Sequence, residues 1–347
     1  ILWEEETWYK SIMNLCFFIF LHKKIWMKGM FMDIGDIVVR KSYNKDIKFK
    51  VVNIEIVDNV KKFILKGKSI RIIADALEND LEIVDDRFDD MISQEIREKI
   101  NKVSSNKKKY KLREDLSFRD DSSKNKEKNI KSFKKKGFNF GKSGKILHVD
   151  GDFEYLKKCL DIYEELMVNA CGECIEESRQ PDVIIDLVKF YTPDIVVLTG
   201  HDSMSKNISD YMDLNFYKNS KYFLDSVRKL REYERNLDNL VIFAGACQSC
   251  YELLIEGGAN FATSPRRVLV HCLDPVLICS KIFNTSIDKT VKIDDVINET
   301  ITGFSGIGGI QTRGKYREGF PKSFYSWFLK ILGIYKFNKV NNLIWLK

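Results

Sequence analysis

The chain has 347 residues, 44% of them hydrophobic and 31% charged, with a net charge of +7, which is enough apolar content and length for a full core in one or two domains. Its eight cysteines are not spaced as a small secreted disulfide framework, and a chain this long does not need one, so free thiols in a reducing compartment are expected. The basicity is local: residues 101–136 carry 14 Lys or Arg against 5 Asp or Glu, so the net charge does not argue for a polyanionic partner of the folded parts.

In chain order, the first thirty or so residues read as lying outside the fold. The apolar run from Ile12 to Leu21 is far short of the ~20 residues that span a bilayer. Glu4, Glu5 and Glu6 stand where a signal peptide would carry bases. Residues 1–31 are therefore expected to be a non-native or disordered extension, with the natural start at Met27, Met30 or Met32. No other segment is a membrane candidate, and a soluble protein is expected.

Residues 32–86 read as short β. Ile37-Val38-Val39-Arg40, residues 49–56, Lys62-Phe63-Ile64-Leu65-Lys66 and Ile70-Arg71-Ile72-Ile73 are strand-like, with Lys66-Gly67-Lys68 as a turn. This predicts a small SH3/KOW-like β-barrel, a type that binds peptides or nucleic acid or docks a neighbouring domain. Residues 87–144 read as a helix over 89–100 and then a basic flexible linker, too poor in large apolar residues to offset chain entropy. A solvated tether is the expected role; a nucleic-acid patch is the alternative, although aromatic interleaving there is sparse.

Residues 145–315 alternate strand and helix. The apolar strands Ile146-Leu147-His148-Val149, Ile195-Val196-Val197-Leu198 and Leu240-Val241-Ile242-Phe243 are separated by helical patterns over 154–167, 183–190 and 222–235, and a helix over 249–256 follows. Continuous apolar strands between helices predict an α/β domain of three layers with a parallel sheet inside. Residues 316–347 read as a C-terminal tail.

In parallel α/β sheets, ligands bind beyond the carboxyl ends of the strands. One strand leads into Thr199-Gly200-His201-Asp202 and the next into Ala244-Gly245-Ala246-Cys247-Gln248-Ser249. A His and a Cys thus share one sheet edge. Cys247 is expected to open a helix, whose N-terminus favours a thiolate. The thiolate would attack a peptide carbonyl with His201 as general base and acid. Backbone N–H groups at Cys247 and near Gly200 and Asp202 would hold the oxyanion.

Strand, His, strand, Ala-Cys resembles the caspase, legumain and gingipain superfamily of cysteine peptidases. The strings Gly35-Asp36-Ile37-Val38-Val39-Arg40-Lys41-Ser42-Tyr43, Leu147-His148-Val149-Asp150-Gly151-Asp152, Thr199-Gly200-His201-Asp202, Phe243-Ala244-Gly245-Ala246-Cys247-Gln248-Ser249 and Gly258-Ala259-Asn260-Phe261 resemble the YabG family of sporulation-specific proteases. The similarity covers about residues 32–314. It implies a caspase-like fold, cleavage of spore coat and cortex-related proteins after Arg, and a place in the sporulating mother cell in association with the spore coat. In the wider superfamily Gly follows the His; here Gly200 precedes His201 and Asp202 follows it, which leaves the second oxyanion donor open.

Asp150 and Asp152 leave the first strand on the same edge. A carboxylate there would select Arg or Lys before the cut; equally, either residue caps the next helix. Asp274 is a further pocket candidate, though Asp274-Pro275 is as good a helix start. His148 and His271 read as structural. No cofactor or metal is expected. Rival readings are a thiol–disulfide oxidoreductase using Cys247 and Cys250, a zinc site built from Cys171, Cys174, Cys247 and Cys250, and a nucleic-acid-binding barrel. The Gly-rich stretch 303–314 reads as a flap or cradle without a Walker lysine. Protein substrates are the expected partners, with self-cleavage in the exposed basic linker.

Overall fold

In a computed structural model of the chain, residues 32–84, 94, 96–101, 140–206 and 208–319 are described. The expected extension, most of the basic linker and the tail beyond residue 319 lie outside them.

Strands β1 (Ile37–Arg40), β2 (Lys48–Val57), β3 (Val60–Gly67), β4 (Ile73–Leu77) and β5 (Leu81–Ile83) form an antiparallel sheet in the order β4-β3-β2-β1-β5. Asp58 and Asn59, both at positive φ, make the two-residue turn between β2 and β3, residue types that tolerate the left-handed region a tight hairpin requires. Alternate residues of β2 and β3 point inward, and Val38, Phe49, Val51, Phe63, Leu65, Ala76 and Leu81 form the core of this unit. The expected strand over residues 70–73 is corrected: β4 begins only at Ile73. Ile70 instead makes an isolated antiparallel bridge to His271, 201 residues further on. The loop leaves its own sheet after Lys68, whose N–H still donates to the Lys48 carbonyl, and residues 69–71 turn to the neighbouring unit.

That neighbour is a six-stranded sheet in the order β13-β11-β10-β9-β7-β8. It comprises β7 (Ile146–Asp150), β8 (Ala170–Cys174), β9 (Ile195–Thr199), β10 (Val241–Ala244), β11 (Phe261–Thr263) and β13 (Ile307–Gly309). All pairs are parallel except β13 on β11. Both faces are covered. Ile146, Ile195, Val197, Val241 and Phe243 pack on one side with α1 (Phe153–Glu165) and α5 (Asp274–Asn284). Leu147, Val149, Val196, Leu198, Ile242 and Ala244 pack on the other with α2 (Gln180–Tyr191), α3 (Ser220–Tyr233) and α4 (Tyr251–Glu256). Two buried faces explain why β7, β9, β10 and β11 are buried at every position and mostly apolar. The expected α/β organisation with a parallel sheet between helices is therefore present.

Sequence reading missed β8, whose Ala-Cys-Gly-Glu-Cys string has no apolar run. It survives as the sheet edge, pairing residue for residue with β7. The Gly-rich stretch is also corrected: it is neither flap nor cradle at residues 307–309 but the opposite edge strand. Gly308 and Gly309 lie flat against the rings of Tyr251 and Phe261, where a side chain has no room. Strand β12 (Thr290–Val291) pairs with β14 (Thr312–Arg313). Strand β15 (Arg317–Gly319) pairs with β6 (Phe140–Lys142), so the chain's entry to the α/β unit and its exit run side by side. Among the described residues no helix is long and apolar enough to cross a membrane.

Candidate active site at the carboxyl edge of the sheet

Three successive strand ends supply the site. Strands β10, β9 and β7 are neighbours, with Ala244 opposite Leu198 and Thr199 opposite Asp150. Cys247 follows β10 by three residues, His201 follows β9 by two, and Asp150 is the last residue of β7. The order in space is therefore thiol, imidazole, carboxylate.

Cys247 lies in a turn, and helix α4 starts only at Tyr251. The expectation that Cys247 opens a helix is thus corrected, and with it the helix-dipole argument. A different device shapes this turn: Gly245 at φ +106° and Gln248 at φ +60° bracket the thiol, so a non-glycine residue is held in a sparsely populated conformation beside it. The thiol is 2% exposed. Its Sγ receives the N–H of Val270 at 3.3 Å and lies 3.6 Å from the Val270 carbonyl. Burial pushes the thiol up from its ordinary range, against the N–H groups of Val270 and Arg71, which favour the thiolate.

His201 Nε2 is buried without a hydrogen-bond partner among the described residues and lies 3.8 Å from Asp152 Oδ2. Its Nδ1 faces Glu177 Oε1 at 3.7 Å. That same oxygen accepts the His201 backbone N–H at 2.5 Å. Glu177 sits on a 3-10 turn after β8 and is buried. Burial opposes its ionisation, but its hydrogen bonds to His201 prevail and hold the carboxyl below its ordinary range. Gly151 and Gly200 make this possible, because a Cβ on either would run into the Glu177 carboxylate. Glu177 escaped the sequence reading. The only available signal was the pair of glycines beside the two strand ends, and they name no partner. No hydrogen bond joins His201 to Cys247. Tyr155 borders His201, its ring packing edge-on to the imidazole with centroids 5.8 Å apart.

The remaining candidates separate. Asp150 is fully buried and receives Arg71 through Nε at 3.1 Å and Nη2 at 2.6 Å, with Thr199 Oγ1 at 2.7 Å. Burial opposes its charge, but the guanidinium and His148 hold it well below the usual carboxylate range. Asp152 takes the capping role: it accepts the Glu154 N–H at 2.9 Å and pairs with Lys66 at 2.7 Å. Asp274 starts α5 and accepts the N–H groups of Ile301 and Thr302, so it does not join the group around Asp150. The Asp202 side chain braces the site from beneath. It receives the Ser220 and Ser249 hydroxyls at 2.5 and 2.8 Å and the N–H groups of Asn219 and Ser203 at 2.8 and 2.9 Å. Ser249 Oγ in turn accepts the Ala246 N–H, so the loops bearing His201 and Cys247 are tied to one carboxylate.

The four-cysteine zinc arrangement is excluded by topology. Cys171 and Cys174 are on β8 and Cys247 follows β10, with β7 and β9 between them, a separation of about 14 Å at the usual strand spacing. Cys247 and Cys250 are both free thiols, and Cys250 Sγ is engaged with the Tyr211 carbonyl.

The family model described as YabG peptidase U57 matches residues 33–321. The sporulation-specific protease YabG of Bacillus subtilis (strain 168) is 40% identical over 293 residues, covering 83% of this chain and 97% of that protein. No solved structure matches the chain.

Proposed function

Since the chain belongs to the YabG peptidase family U57, we propose that it is a cysteine endopeptidase of sporulating cells that cuts proteins after arginine. The observation that carries this reading is the succession of Cys247, His201 and Asp150 on three adjacent strand ends. That order is also what a caspase-like peptidase domain requires, and the small antiparallel sheet before it fits the SH3/KOW-like type.

The arginine of a substrate would enter against Asp150, whose buried charge suits a guanidinium and whose Oδ2 accepts two guanidinium N–H bonds from Arg71. Cys247 Sγ, having given its proton to His201 Nε2, attacks the carbonyl carbon of that arginine. The tetrahedral oxyanion would be held by main-chain N–H groups, that of Cys247 and a second one beside His201 at Gly200 or Asp202. Collapse expels the amine, protonated by His201, and leaves a thioester. Water, deprotonated by His201, then releases the acid and the thiol. Glu177 keeps the imidazole turned with Nε2 toward the cleft and balances its charge when protonated. Neither the oxidoreductase nor the nucleic-acid reading has an equivalent support, since His201 and Asp150 have no task in either.

The substrates on this reading are spore coat and cortex-related proteins in the mother cell, with self-cleavage in the basic stretch over residues 101–136. N-terminal sequencing of fragments tests the latter. The central test compares wild type and Cys247→Ala on an arginyl peptide. Wild type cuts after the arginine, and Cys247→Ala keeps its circular dichroism and does not cut. Cleavage by folded Cys247→Ala would overturn the assignment.

A further inference from the structure

The hairpin loop between β3 and β4 lies across this site, and its contacts are those of a peptide ligand. Ile70 bridges His271 in antiparallel fashion, and the Cys272 N–H donates to the Ser69 carbonyl at 2.8 Å. This is strand addition, the usual way a protein surface takes up an extended chain. Tyr155 Oη lies 2.5 Å from the Gly67 carbonyl and 2.7 Å from that of Ile70. Arg71 then drops into the interior, 4% exposed, with its fork on Asp150 and its Nη1 on the Cys272 carbonyl at 3.3 Å. The Arg71 main-chain N–H is near enough to Cys247 Sγ to favour its thiolate. Lys66 on Asp152 and Glu154 clamps the same hairpin to α1.

The loop differs from a substrate in one respect. Ile72 N–H donates to the Ile70 carbonyl at 2.8 Å, and Gly67 N–H donates to the Ile72 carbonyl at 2.9 Å. Arg71 is therefore the apex of a three-residue turn, and the chain beyond it returns at once into β4. A peptidase cleft works on extended chain. Here the segment after the arginine cannot run on through the cleft, and the thiol meets an N–H.

We infer that residues 69–72 are a built-in plug: an arginine presented by the N-terminal sheet fills the specificity pocket and covers Cys247, so the chain as folded is latent. The inference rests on the peptidase reading above and deepens it. Asp150 is assigned as the pocket carboxylate, Arg71 as its first occupant, and release of the hairpin from α1 and Cys272 as the opening step.

The test uses the full chain and two readouts. The first is the rate at which iodoacetamide alkylates Cys247, followed by peptide mass spectrometry, with exposed Cys174 and buried Cys250 in the same digest as references. The second is hydrolysis of an arginyl peptide. Arg71→Ala raises the Cys247 labelling rate and kcat/KM by about tenfold or more, because the competent state ceases to be a minor population, while Cys174 and Cys250 label as before. An unchanged Cys247 rate in a folded variant overturns the plug, whatever the activity. A parallel rise at Cys250 also overturns it, since that reports general loosening. Faster labelling of Cys247 with no peptide hydrolysis in any variant leaves the plug standing and removes the peptidase chemistry. Should Arg71→Ala fail to fold, Arg71→Gln, which keeps an N–H for Asp150, is read in the same way.

Discussion

Replacing Asp202 separates what its side chain does from what the adjoining main chain does. The carboxylate accepts four hydrogen bonds, two N–H on Oδ1 and two hydroxyls on Oδ2. Asp202→Ala leaves all four donors without their acceptor in a buried place. At about 1–3 kcal/mol for each stranded donor, reduced where a hydroxyl turns elsewhere or water enters, the loss is about 3–5 kcal/mol. Asp202→Asn behaves differently. Its Oδ1 keeps both N–H groups, and its amide can donate to the Ser220 and Ser249 hydroxyls, which have lone pairs to spare. The cost is then about 1 kcal/mol, the margin of a charge-assisted bond over a neutral one. Burial also holds the carboxyl above its ordinary range. A raised acid binds its proton more tightly in the fold, so wild type loses stability relative to Asp202→Asn as pH rises from about 4 through that raised value. Urea unfolding at neutral pH reads the difference as a shift in midpoint at constant slope. Equal midpoints for the Ala and Asn variants, or an Ala variant as stable as wild type, would refute the bracing role.

Three further outcomes are expected. Glu177→Gln keeps an acceptor for the His201 N–H but removes the charge behind the imidazole; kcat falls about 10–100-fold with KM little changed, as for other groups that orient a catalytic residue, and steady-state kinetics on an arginyl peptide check the split. Cys250→Ser retains cleavage within a few fold, because its sulfur is engaged with the Tyr211 carbonyl and has no task in the proposed chemistry; a loss as complete as that of Cys247→Ala would revive the redox reading. His271, buried near Arg71, Lys158 and Lys99, is lowered from 6.5 to about 4, chiefly by burial. A base lowered on folding stabilises fully above its unfolded value and loses that contribution as pH falls, here between 6.5 and about 4, worth about 3 kcal/mol. Thermal melts of wild type and His271→Gln across that window should converge toward acid pH, and parallel curves would count against it.

Much of this architecture was legible because burial on both faces writes itself into a sequence. β7, β9 and β10 are buried throughout and mostly apolar, and each leads directly into a chemically distinctive string. The parts that escaped are those where packing alone decides. β8 is a sheet edge held by main-chain pairing, and its Cys-Gly-Glu-Cys looked like ligand chemistry. The glycines at 308 and 309 read as mobility but serve close contact with rings. Ile70 to Ile72 has a strand's composition, yet a distant carboxylate and the main chain of Cys272 claim it. Cys247 was expected on a helix because apolar helical spacing resumes just after it; the turn geometry of Gly245 and Gln248 left no periodic trace. Glu177 shows the limit most plainly, since its partner lies 24 residues away in the loop after another strand.

The antiparallel pairing of residues 140–142 with 317–319 has a topological outcome. A backbone break in the segment upstream of residue 140 would leave the sheet-and-helix body fastened at both of its ends, so the hairpin-bearing portion can be severed from it without unravelling the remainder. Whatever holds the two pieces together after such a break is then side-chain and strand contact alone, a reversible association in which one fragment serves as a dissociable ligand of the other.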